Sequence, residues 1–469
     1  MGGGWHSLIE LLVLLKHELL AFACFWFCVG LADEFALDIA WLWLRLTGRA
    51  DTGRLPVGYG AAELSGRTAV LIPAFKEAPV IGATIAHMLA VWPQRDLSVY
   101  IGCYRNDPGT IAAASAAAAK DRRVRIVIHG ADGPTTKADC LNRLYRALCD
   151  DEERSGSPFA GVILHDAEDM VHPAALQAID AALVLRDFVQ LPVRPELQER
   201  SPWIAGHYAD EFAESHAKVM VVRAVLGASL PAAGVGCGFA RKALGALAAL
   251  RQSQGEVGPF APDCLTEDYE LGLILSRSGK GSAFLRLRDD AGDLVATRSY
   301  FPHHLDAAVR QKTRWIHGIA LQGWERMGWT GKGVELWMAM RDRRGPLTAL
   351  VLAAAYLLLV VDGLLIAFSW TGMVREPSLS PSLAAMLGLC LAGFLWRTGL
   401  RFIFTAREYG FAEGLRAIVR IPVANIITIV AGRKALVAYY QSLRTGRVVW
   451  DKTSHDRHPA NVSFYRVPA

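Results

Sequence analysis

The sequence predicts an α/β fold in which a Rossmann-like parallel sheet is flanked by transmembrane and interfacial helices. Short apolar strands alternate with helical segments from about residue 67 to 165, a pattern typical of a parallel sheet covered by helices. The regions before residue 60 and after residue 340 are rich in Leu, Ala, Val, Ile and Trp. Apolar residues make up 52% of the chain, and their concentration at its two ends predicts membrane association there.

The N-terminal region begins with an apolar run over residues 7–31, which we interpret as a retained, imperfect transmembrane helix. A cleavable signal peptide is the alternative, but the run lacks a basic start and a clear small-residue cleavage site. Residues 35–46 are too short to span a bilayer and are predicted to lie in its interface, where Trp41 and Trp43 are at home. The arginines that follow place this end in the cytoplasm by the positive-inside rule.

The next region carries the strands and helices of the predicted sheet. Strands are expected over 68–72, 98–103, 124–129 and 162–165, and helices over 78–91, 111–119 and 137–149. Ligands of such sheets bind beyond the carboxyl ends of the strands, so the polar motifs that follow three of these strands are predicted to share one site. Further along, residues 204–226 are predicted to form an amphipathic helix and residues 231–241 a glycine-rich turn.

The C-terminal region returns to the membrane. Apolar residues between 304 and 327 recur at helical spacing and predict a helix on the membrane surface. Spans are predicted over 347–370 and 383–405. The segment 418–440 is interrupted by Gly432, Arg433 and Lys434, and a third span, a re-entrant segment and an interfacial helix all remain open.

These elements predict five consecutive regions. They are an N-terminal membrane and linker region (1–60), a cytoplasmic α/β domain (61–300), an interfacial helix (301–345), C-terminal transmembrane or interfacial helices (346–445) and a cytoplasmic tail (446–469).

Charge and cysteine content exclude some classes of protein. The net charge of +5 is small for 469 residues and argues against a nucleic-acid partner. The eight cysteines form no Cys-x-x-Cys pair and show no zinc-site spacing. Free thiols in a reducing compartment are therefore expected.

A pair of acids, Asp166 and Glu168, follows the fourth predicted strand. Carboxylates at this position can converge on Mg or Mn, and a divalent ion neutralises the charge of a departing diphosphate. An isolated pair of this kind is more often a solvated turn. Its place after a buried strand favours the ion site.

A second acidic motif is Thr266-Glu267-Asp268. An attacking hydroxyl must lose a proton, and a carboxylate beneath it serves as general base. Asp268 is the first choice for this base and Glu267 the second. The alternative is an ordinary capped helix start with acids in its first turn.

A third motif places Gln311, Arg314 and Trp315 on one side of the predicted surface helix. The Arg314 guanidinium can clamp a diphosphate, and the Trp315 indole offers a platform for an acceptor sugar. The alternative is an interfacial Trp beside an Arg that reaches the headgroups.

Weaker signals add candidates for both substrates. Glu77 can bond a ribose or base, and Lys137 can meet a phosphate at a helix N-terminus. Gly236 and Cys237, in the glycine-rich loop, allow an acceptor to approach closely. Each of these is equally compatible with an ordinary turn residue. The complete set of donor-binding candidates is Pro73, Phe75, Glu77, Asp107, Lys137, Asp166, Gln311 and Arg314.

Together these motifs resemble the membrane-embedded family-2 glycosyltransferases, the group of cellulose, chitin and hyaluronan synthases. The Q-x-x-R-W signature stands here as Gln311, Arg314 and Trp315, and the T-E-D signature as residues 266–268. The runs 104–108 and 165–169 look most like the bacterial branch called phage-adsorption protein B.

The resemblance implies a GT-A domain on the cytoplasmic side of a bacterial inner membrane. It implies a UDP-sugar donor, Mg or Mn, inversion at the anomeric carbon, and a glycan or glycolipid acceptor, with membrane lipids and export partners as further partners. By analogy Asp268 is the base, Asp166 and Glu168 meet the metal-diphosphate, and Trp315 contacts the acceptor. A segment similar to the gating segments of the synthases contains Trp450, Lys452 and Thr453.

Processive polysaccharide synthesis is the favoured function. A non-processive transferase that makes one glycolipid bond is the closest rival, and a catalytically idle membrane scaffold or export partner is a rival of another class. The motifs do not specify the sugar, the linkage or the oligomeric state, because pocket shape rather than sequence pattern decides donor choice.

Overall fold

A computed structural model describes residues 2–370, 379–446 and 457–461 of the chain. The strands of the described part are β1 (Gly53–Arg54), β2 (Thr68–Pro73), β3 (Leu97–Tyr104), β4 (Val124–His129), β5 (Gly161–Leu164), β6 (Phe188–Gln190), β7 (Val193–Pro195), β8 (Cys237–Ala240), β9 (Ser282–Phe284), β10 (Leu287–Arg288) and β11 (Thr297–Ser299).

The α-helices of the described part are α1 (Gly2–Leu46), α2 (Ile81–Val91), α3 (Pro108–Ala118), α4 (Lys137–Ser155), α5 (Ala175–Leu183), α6 (Ile204–Glu214), α7 (Met220–Val225), α8 (Arg241–Ser253), α9 (Glu267–Ser276), α10 (Leu305–Trp315), α11 (Gly323–Met327), α12 (Val334–Arg343), α13 (Gly345–Ser369), α14 (Pro381–Tyr409), α15 (Phe411–Val419) and α16 (Ile421–Thr445). Wide π-helical turns, Ser215–Val219 and Ile316–Gln322, connect α6 to α7 and α10 to α11.

The central sheet has seven strands in the order β4-β3-β2-β5-β8-β6-β9. β2 pairs in parallel with β3 and β5, and β3 pairs in parallel with β4. These four strands give the Rossmann-like half that the sequence predicts, so the α/β fold class is confirmed. Strand β8, which the sequence does not predict, adds an antiparallel strand to this sheet and pairs with both β5 and β6.

Strand β8 lies in the segment 231–241 that the sequence predicts as a turn. Gly238 of this strand allows close packing against a neighbouring helix and does not form a turn. A Cβ at Gly238 would lie 2.2 Å from Ile179 Cγ2 of α5. The four residues of β8 are too few for a clear alternating pattern, so the glycine content dominates the sequence signal.

Helices cover both faces of the sheet. Alternate residues of β2 point to opposite faces, with Val70 and Ile72 in one core cluster and Ala69 and Leu71 in the other. The first cluster includes residues of α2, α3 and α5, and the second includes residues of α4, α8 and α9. This double cover fixes the strand ends rigidly, and the polar motifs follow those ends.

Three helices of the described part are long and apolar enough to cross a membrane: α13, α14 and α16. Helix α13 matches the span predicted at 347–370 to within two residues at each end, and α14 contains the span predicted at 383–405. The segment 418–440 divides between two helices, since α15 ends at Val419 and α16 begins at Ile421. Residues 35–46 are not a separate helix, because α1 continues through them to Leu46 with no Gly or Pro between residues 31 and 46. Their interfacial location stays a prediction.

Candidate active site

An open cleft lies at the carboxyl ends of β2, β3 and β5 and holds about 720 Å³ of empty space that is continuous with solvent. Five segments of the chain meet there: the ends of the three strands, the start of α4, and α10. The lining residues are Pro73, Ala74, Phe75, Glu77, Tyr104, Thr135, Thr136, Lys137, Cys140, Asp166, Ala167, Glu168, Gln311 and Arg314.

The end of β2 supplies one wall of the cleft. Phe75 meets Tyr104, at the end of β3, edge to face, with ring centroids 5.1 Å apart. Glu77 is buried, and its backbone N–H donates to the hydroxyl of Thr110 at 2.9 Å. Asp107 is not a lining residue. Its carboxylate caps α3 by accepting from the Thr110 N–H, so its predicted donor-binding role stays a prediction.

The start of α4 aims a cation into the cleft. Thr136 and Asp139 form a capping box in which the Asp139 N–H donates to the Thr136 hydroxyl at 3.1 Å. Lys137 is the first residue of the helix, and its Nζ lies 2.6 Å from Asp166 Oδ1. Burial alone would lower the pKa of Lys137, but the charges of Asp166 and of two further acids raise it above its usual value. Lys137 is therefore a permanent cation.

A buried pair holds the acidic turn after β5. Asp169 accepts from the Asp166 N–H at 2.9 Å, and its carboxylate lies 3.0 Å from His165 Nδ1. This leaves Asp166 and Glu168 on the cleft side of the turn. Burial raises the pKa of Asp169. Because its carboxylate is engaged by both the Asp166 N–H and His165, Asp169 holds this turn in place. The fit to a divalent ion is good, because Mg²⁺ is usually held by one or two carboxylates together with substrate phosphates.

Within the described residues, no group of three His, Cys, Asp or Glu side chains could hold a metal without such phosphates. One oxygen of Asp166 bonds to Lys137, and its second oxygen is not part of that ion pair. An ion here would therefore need the donor substrate to complete its ligands.

The start of α9 brings two more acids to the same cation. Gly234 has a positive φ of 76°, and a Cβ there would lie 2.3 Å from Asp268 Oδ2 and 3.2 Å from Lys137 Nζ. Only a glycine allows this close approach. Burial, with the charge of Asp268, raises the pKa of Glu267 to about 7. Burial also raises the pKa of Asp268, against the opposing effect of Lys137. Neither acid lines the cleft. Both lie beside it, close to the lining residue Lys137.

Helix α10 closes the cleft from the other side with Gln311 and Arg314. The Gln311 Oε1 atom is buried and has no hydrogen-bond partner among the described residues. Trp315 instead packs among aromatic side chains, with its ring centroid 6.1 Å from that of Tyr208 and 6.3 Å from that of Phe212. It does not line the cleft, and its contact with an acceptor stays a prediction.

The remaining predicted acceptor and gating residues lie elsewhere. Cys237 is fully buried on β8, and a Cβ at Gly236 would lie 2.2 Å from the hydroxyl oxygen of Thr297. Cys237 begins β8, an interior strand of the sheet, opposite Leu164 at the end of β5, and the acceptor role of both residues also stays a prediction. The gating-like residues, Trp450, Lys452 and Thr453, lie outside the described residues.

Several lining residues were not among the sequence candidates: Ala74, Tyr104, Thr135, Thr136, Cys140 and Ala167. One signal for them was present. The spacing of Thr136 and Asp139 is that of a capping box, which predicts the first residue of α4 and thus which side chains flank Lys137. Cys140 lies one turn further along the same helix and carried no signal of its own.

Comparison with known families gives a match over residues 66–318 to a family described as "Glycosyltransferase like family 2". Among curated proteins, bacteriophage adsorption protein B of Escherichia coli K12 is 32% identical over 472 aligned residues, covering 94% of this chain and 62% of the relative. Bacteriophage N4 adsorption protein B of Escherichia coli O157:H7 matches with the same values. The chain thus spans less than two thirds of the length of these relatives.

Solved structures give more distant similarity. A mannosyltransferase from Pyrobaculum calidifontis in complex with GDP-Man and Mn²⁺ is 16% identical with a TM-score of 0.49, covering 87% of this chain and 99% of that one. Glucosyl-3-phosphoglycerate synthase from Mycobacterium tuberculosis, in complex with Mn²⁺, UDP and phosphoglyceric acid, is 18% identical with a TM-score of 0.35, covering 61% and 84%.

Proposed function

The chain belongs to glycosyltransferase family 2, and we propose that it transfers a sugar from a UDP-sugar to a growing polysaccharide with inversion at the anomeric carbon. One observation carries this proposal: cations and acids from four distant motifs surround a single cleft. Sugar transfer from a nucleotide diphosphate requires an anion site, neutralisation of a leaving group and removal of a proton. The cleft offers side chains for each requirement.

The donor is proposed to lie with its diphosphate between Lys137 and Arg314. Both cations face the cleft, from α4 and from α10 respectively. A guanidinium can hold two phosphate oxygens at once, whereas an ammonium acts as a point charge. Pro73, Phe75 and Glu77 lie on the β2 side, where they are suited to hold the nucleoside.

The proposed cofactor is Mg or Mn. Asp166 and Glu168 are the residues that would hold it, and a bound divalent ion neutralises charge on the departing diphosphate. Lys137 neutralises Asp166 through their ion pair. Donor binding would draw Lys137 toward phosphate oxygens and leave Asp166 available to the ion.

Asp268 is the proposed base. Its carboxylate is part-buried and its pKa is raised, which makes it a better proton acceptor than a solvated aspartate. Glu267, the preceding residue, is more deeply buried and serves to tune the pKa of the pair. Inversion follows when the hydroxyl attacks from the face opposite the leaving diphosphate, so the base and the diphosphate site must lie on opposite sides of the sugar.

The location we propose is a bacterial inner membrane with the α/β domain in the cytoplasm. Arg341 and Arg344, at the domain end of α13, pair with Asp33 and Glu34 of α1. A cluster of arginines at this end of a span favours the cytoplasmic side. The five-region division predicted from the sequence fits this arrangement, with glycan or glycolipid acceptors and export partners reached at the membrane.

The experiment is an incorporation assay with membranes that contain the full chain, incubated with a panel of radiolabelled UDP-sugars and with GDP-mannose. One UDP-sugar should label a product, and a chelator should suppress the label until Mg or Mn is restored. A ladder or high polymer supports processive synthesis, whereas a single adduct identifies the non-processive glycolipid transferase. Labelling from GDP-mannose alone would refute the UDP part of the proposal, and no labelling from any donor would refute transfer.

A further inference from the structure

Helix α16 satisfies the length and composition of a membrane span, yet one end contacts the α/β domain and the other contacts α11, which is bound to that domain. Just before the helix, the Arg420 guanidinium lies 3.1 Å from Asp210 Oδ1 of α6. Near the end, the Tyr439 hydroxyl donates to Glu325 Oε1 of α11 at 2.6 Å. Helix α11 is itself tied to the domain, because Arg326 pairs with Glu270 of α9. A crossing helix would have its ends on opposite faces of the bilayer.

The chain after α16 lies on the same domain. His458 is buried, and its Nε2 lies 3.1 Å from the carbonyl oxygen of Asp169 beside the cleft. If α16 crossed, residues 457–461 would emerge on the face opposite the domain. The ten intervening residues, 447–456, are too few to cross back, since a spanning helix needs about 20.

Two cations stand at the middle of α16. Arg433 and Lys434 are both exposed and have no ion-pair partner in the part of the chain that the structure describes. In a crossing helix these charges would face lipid near the bilayer centre. Ionisable residues inside membranes instead face other helices or a water-filled cavity and are usually paired. Their position is costly for a span and favourable at a headgroup layer.

The two sides of α16 differ in the way expected of an interfacial helix. Ile427, Ala431 and Ala435 are fully buried, and the Thr313 hydroxyl of α10 donates to the Ala431 carbonyl at 3.4 Å. The opposite side is exposed and combines apolar residues with the two cations. Its apolar members are Ile426, Val430, Leu436, Val437 and Tyr440.

Helix α15 continues this exposed apolar surface. Phe411, Leu415 and Val419 recur every fourth residue and are 69%, 48% and 61% exposed. Glu413 and Ala417 point the other way and are buried. An amphipathic helix of this kind, next to membrane spans and with an apolar side that is largely exposed although Phe411 contacts Phe402 of α14, fits a lipid surface.

We infer that α15 and α16 lie in the plane of the leaflet that faces the α/β domain, bound to anionic phospholipid headgroups through Arg433 and Lys434. After the domain, the chain then crosses the membrane outward in α13 and back in α14. Helix α10, which carries Gln311 and Arg314, is held between the domain and this lipid-bound platform. The inference does not depend on the proposed function, because it concerns only the course of the chain.

Cysteine accessibility tests the topology. Lys434→Cys is introduced into the full chain, with Leu359→Cys of α13 as the matched control because it is exposed near the middle of a span. A membrane-impermeant maleimide is applied to right-side-out and inside-out vesicles, and labelling is compared with the parent chain. Lys434→Cys should react from the face that carries the α/β domain, and Leu359→Cys from neither. Reaction from the opposite face only, or no reaction beyond that of Leu359→Cys, overturns the inference.

A second measurement tests the headgroup contact. The wild type and an Arg433→Gln, Lys434→Gln variant are purified as full chains and reconstituted in vesicles of phosphatidylcholine alone or with phosphatidylglycerol. The variant should unfold at a lower temperature than the wild type in the phosphatidylglycerol vesicles and at the same temperature in phosphatidylcholine. Binding to anionic lipid is contradicted if the wild type and the variant unfold at the same temperature in both kinds of vesicle. It is also contradicted if they differ by the same amount in both.

Discussion

Two acidic regions of helix α9 are both buried and behave in opposite ways. Behind the cleft, Glu270 lies 2.9 Å from Arg251 and 2.5 Å from Arg326, and these cations hold its pKa below the usual value despite burial. Beside the cleft, burial and the neighbouring charge of Asp268 raise the pKa of Glu267 to about 7. Ion pairs compensate the charge of Glu270, which holds structure, whereas the charges of Glu267 and Asp268 beside the cleft are compensated too little. Such under-compensation is typical of a site that awaits a further cation or proton.

At the boundary between the α/β domain and the membrane helices, buried charge is compensated by ion pairs, as it is at Glu270. Lys218 is buried there, 2.5 Å from Asp38 of α1 and 2.6 Å from Glu214 of α6. These pairs fix α1 against the domain. Buried charge is thus common in this protein, and the degree of compensation, not burial itself, separates the cleft from its scaffold.

The largest expected effect comes from removing the cation that the cleft acids share. Lys137→Met leaves Asp166 and Asp268 without that counter-charge and removes a cation proposed to contact the diphosphate, and we expect kcat/KM for sugar transfer to fall by about 10³-fold. Lys137→Arg, which keeps the charge, should retain more activity. Wild-type kinetics in Lys137→Met would show that this lysine belongs to the scaffold and not to the site.

The next effect concerns stability. Glu270→Gln leaves Arg251 and Arg326 under-compensated, and the free energy of unfolding should fall by about 3 kcal/mol. Glu256→Gln is the matched control, because Glu256 also pairs with Arg251 but its side chain is 40% exposed. The control should lose less than about 1 kcal/mol. Thermal unfolding in detergent measures both, and equal losses would remove the distinction drawn between buried and exposed partners.

Glu267→Gln should stabilise the protein at alkaline pH, whereas Glu270→Gln should destabilise it. The native pKa near 7 lies above that of an unfolded glutamate, so the native state binds the proton more tightly. Its stability therefore falls as pH rises from about 4.3 through 7, and the variant avoids this loss. At pH 8 the variant should be more stable than the wild type by about 2 kcal/mol, with little difference below pH 4. A variant that is less stable at pH 8 would place Glu267 with the structural acids.

The smallest expected effect tests whether Trp315 belongs to the substrate site or to the packed scaffold. Trp315→Phe retains an aromatic ring against Tyr208 and Phe212. If the indole contacts the acceptor, KM for the acceptor should rise by about threefold to tenfold with an unchanged unfolding temperature. Trp324→Phe is the control, since Trp324 is 53% exposed on α11. An unfolding temperature that falls without any change in KM would make Trp315 a packing residue only.

Much of the fold was predictable because its signals are local. The strands before the acidic motif are mostly apolar runs, and β4 (Val124–His129) has the same bounds in the prediction and the structure. Strand β8 was missed because its pairing with β5 and β6 is set by residues far away in the chain. The division of 418–440 into two helices had a local signal in Pro422, which lies in the first turn of α16. The pairing of Arg420 with Asp210 beside this turn joins residues far apart in the chain and had no such signal.

The site was predictable in its members more than in its geometry. Motif spacing pointed to Lys137, Asp166 and Arg314, all of which line the cleft. It gave no sign that Lys137 pairs with Asp166 or that Gly234 brings Asp268 within reach of the same ammonium group. Those contacts arise from packing between α4, α9 and the sheet, which no single segment encodes.

The most direct test of the central claim is the Asp268→Asn substitution in the purified full chain, with sugar incorporation and UDP-sugar binding measured on the same preparation. Asp290→Asn, at an exposed position of the same domain, is the matched control. The substitution removes the proton acceptor and also the charge of one of the acids around Lys137, so incorporation should fall by about 10³-fold while UDP-sugar affinity does not fall, and the control should behave as wild type. An Asp268→Asn protein that incorporates sugar at the wild-type rate would contradict a catalytic cleft built around this acid.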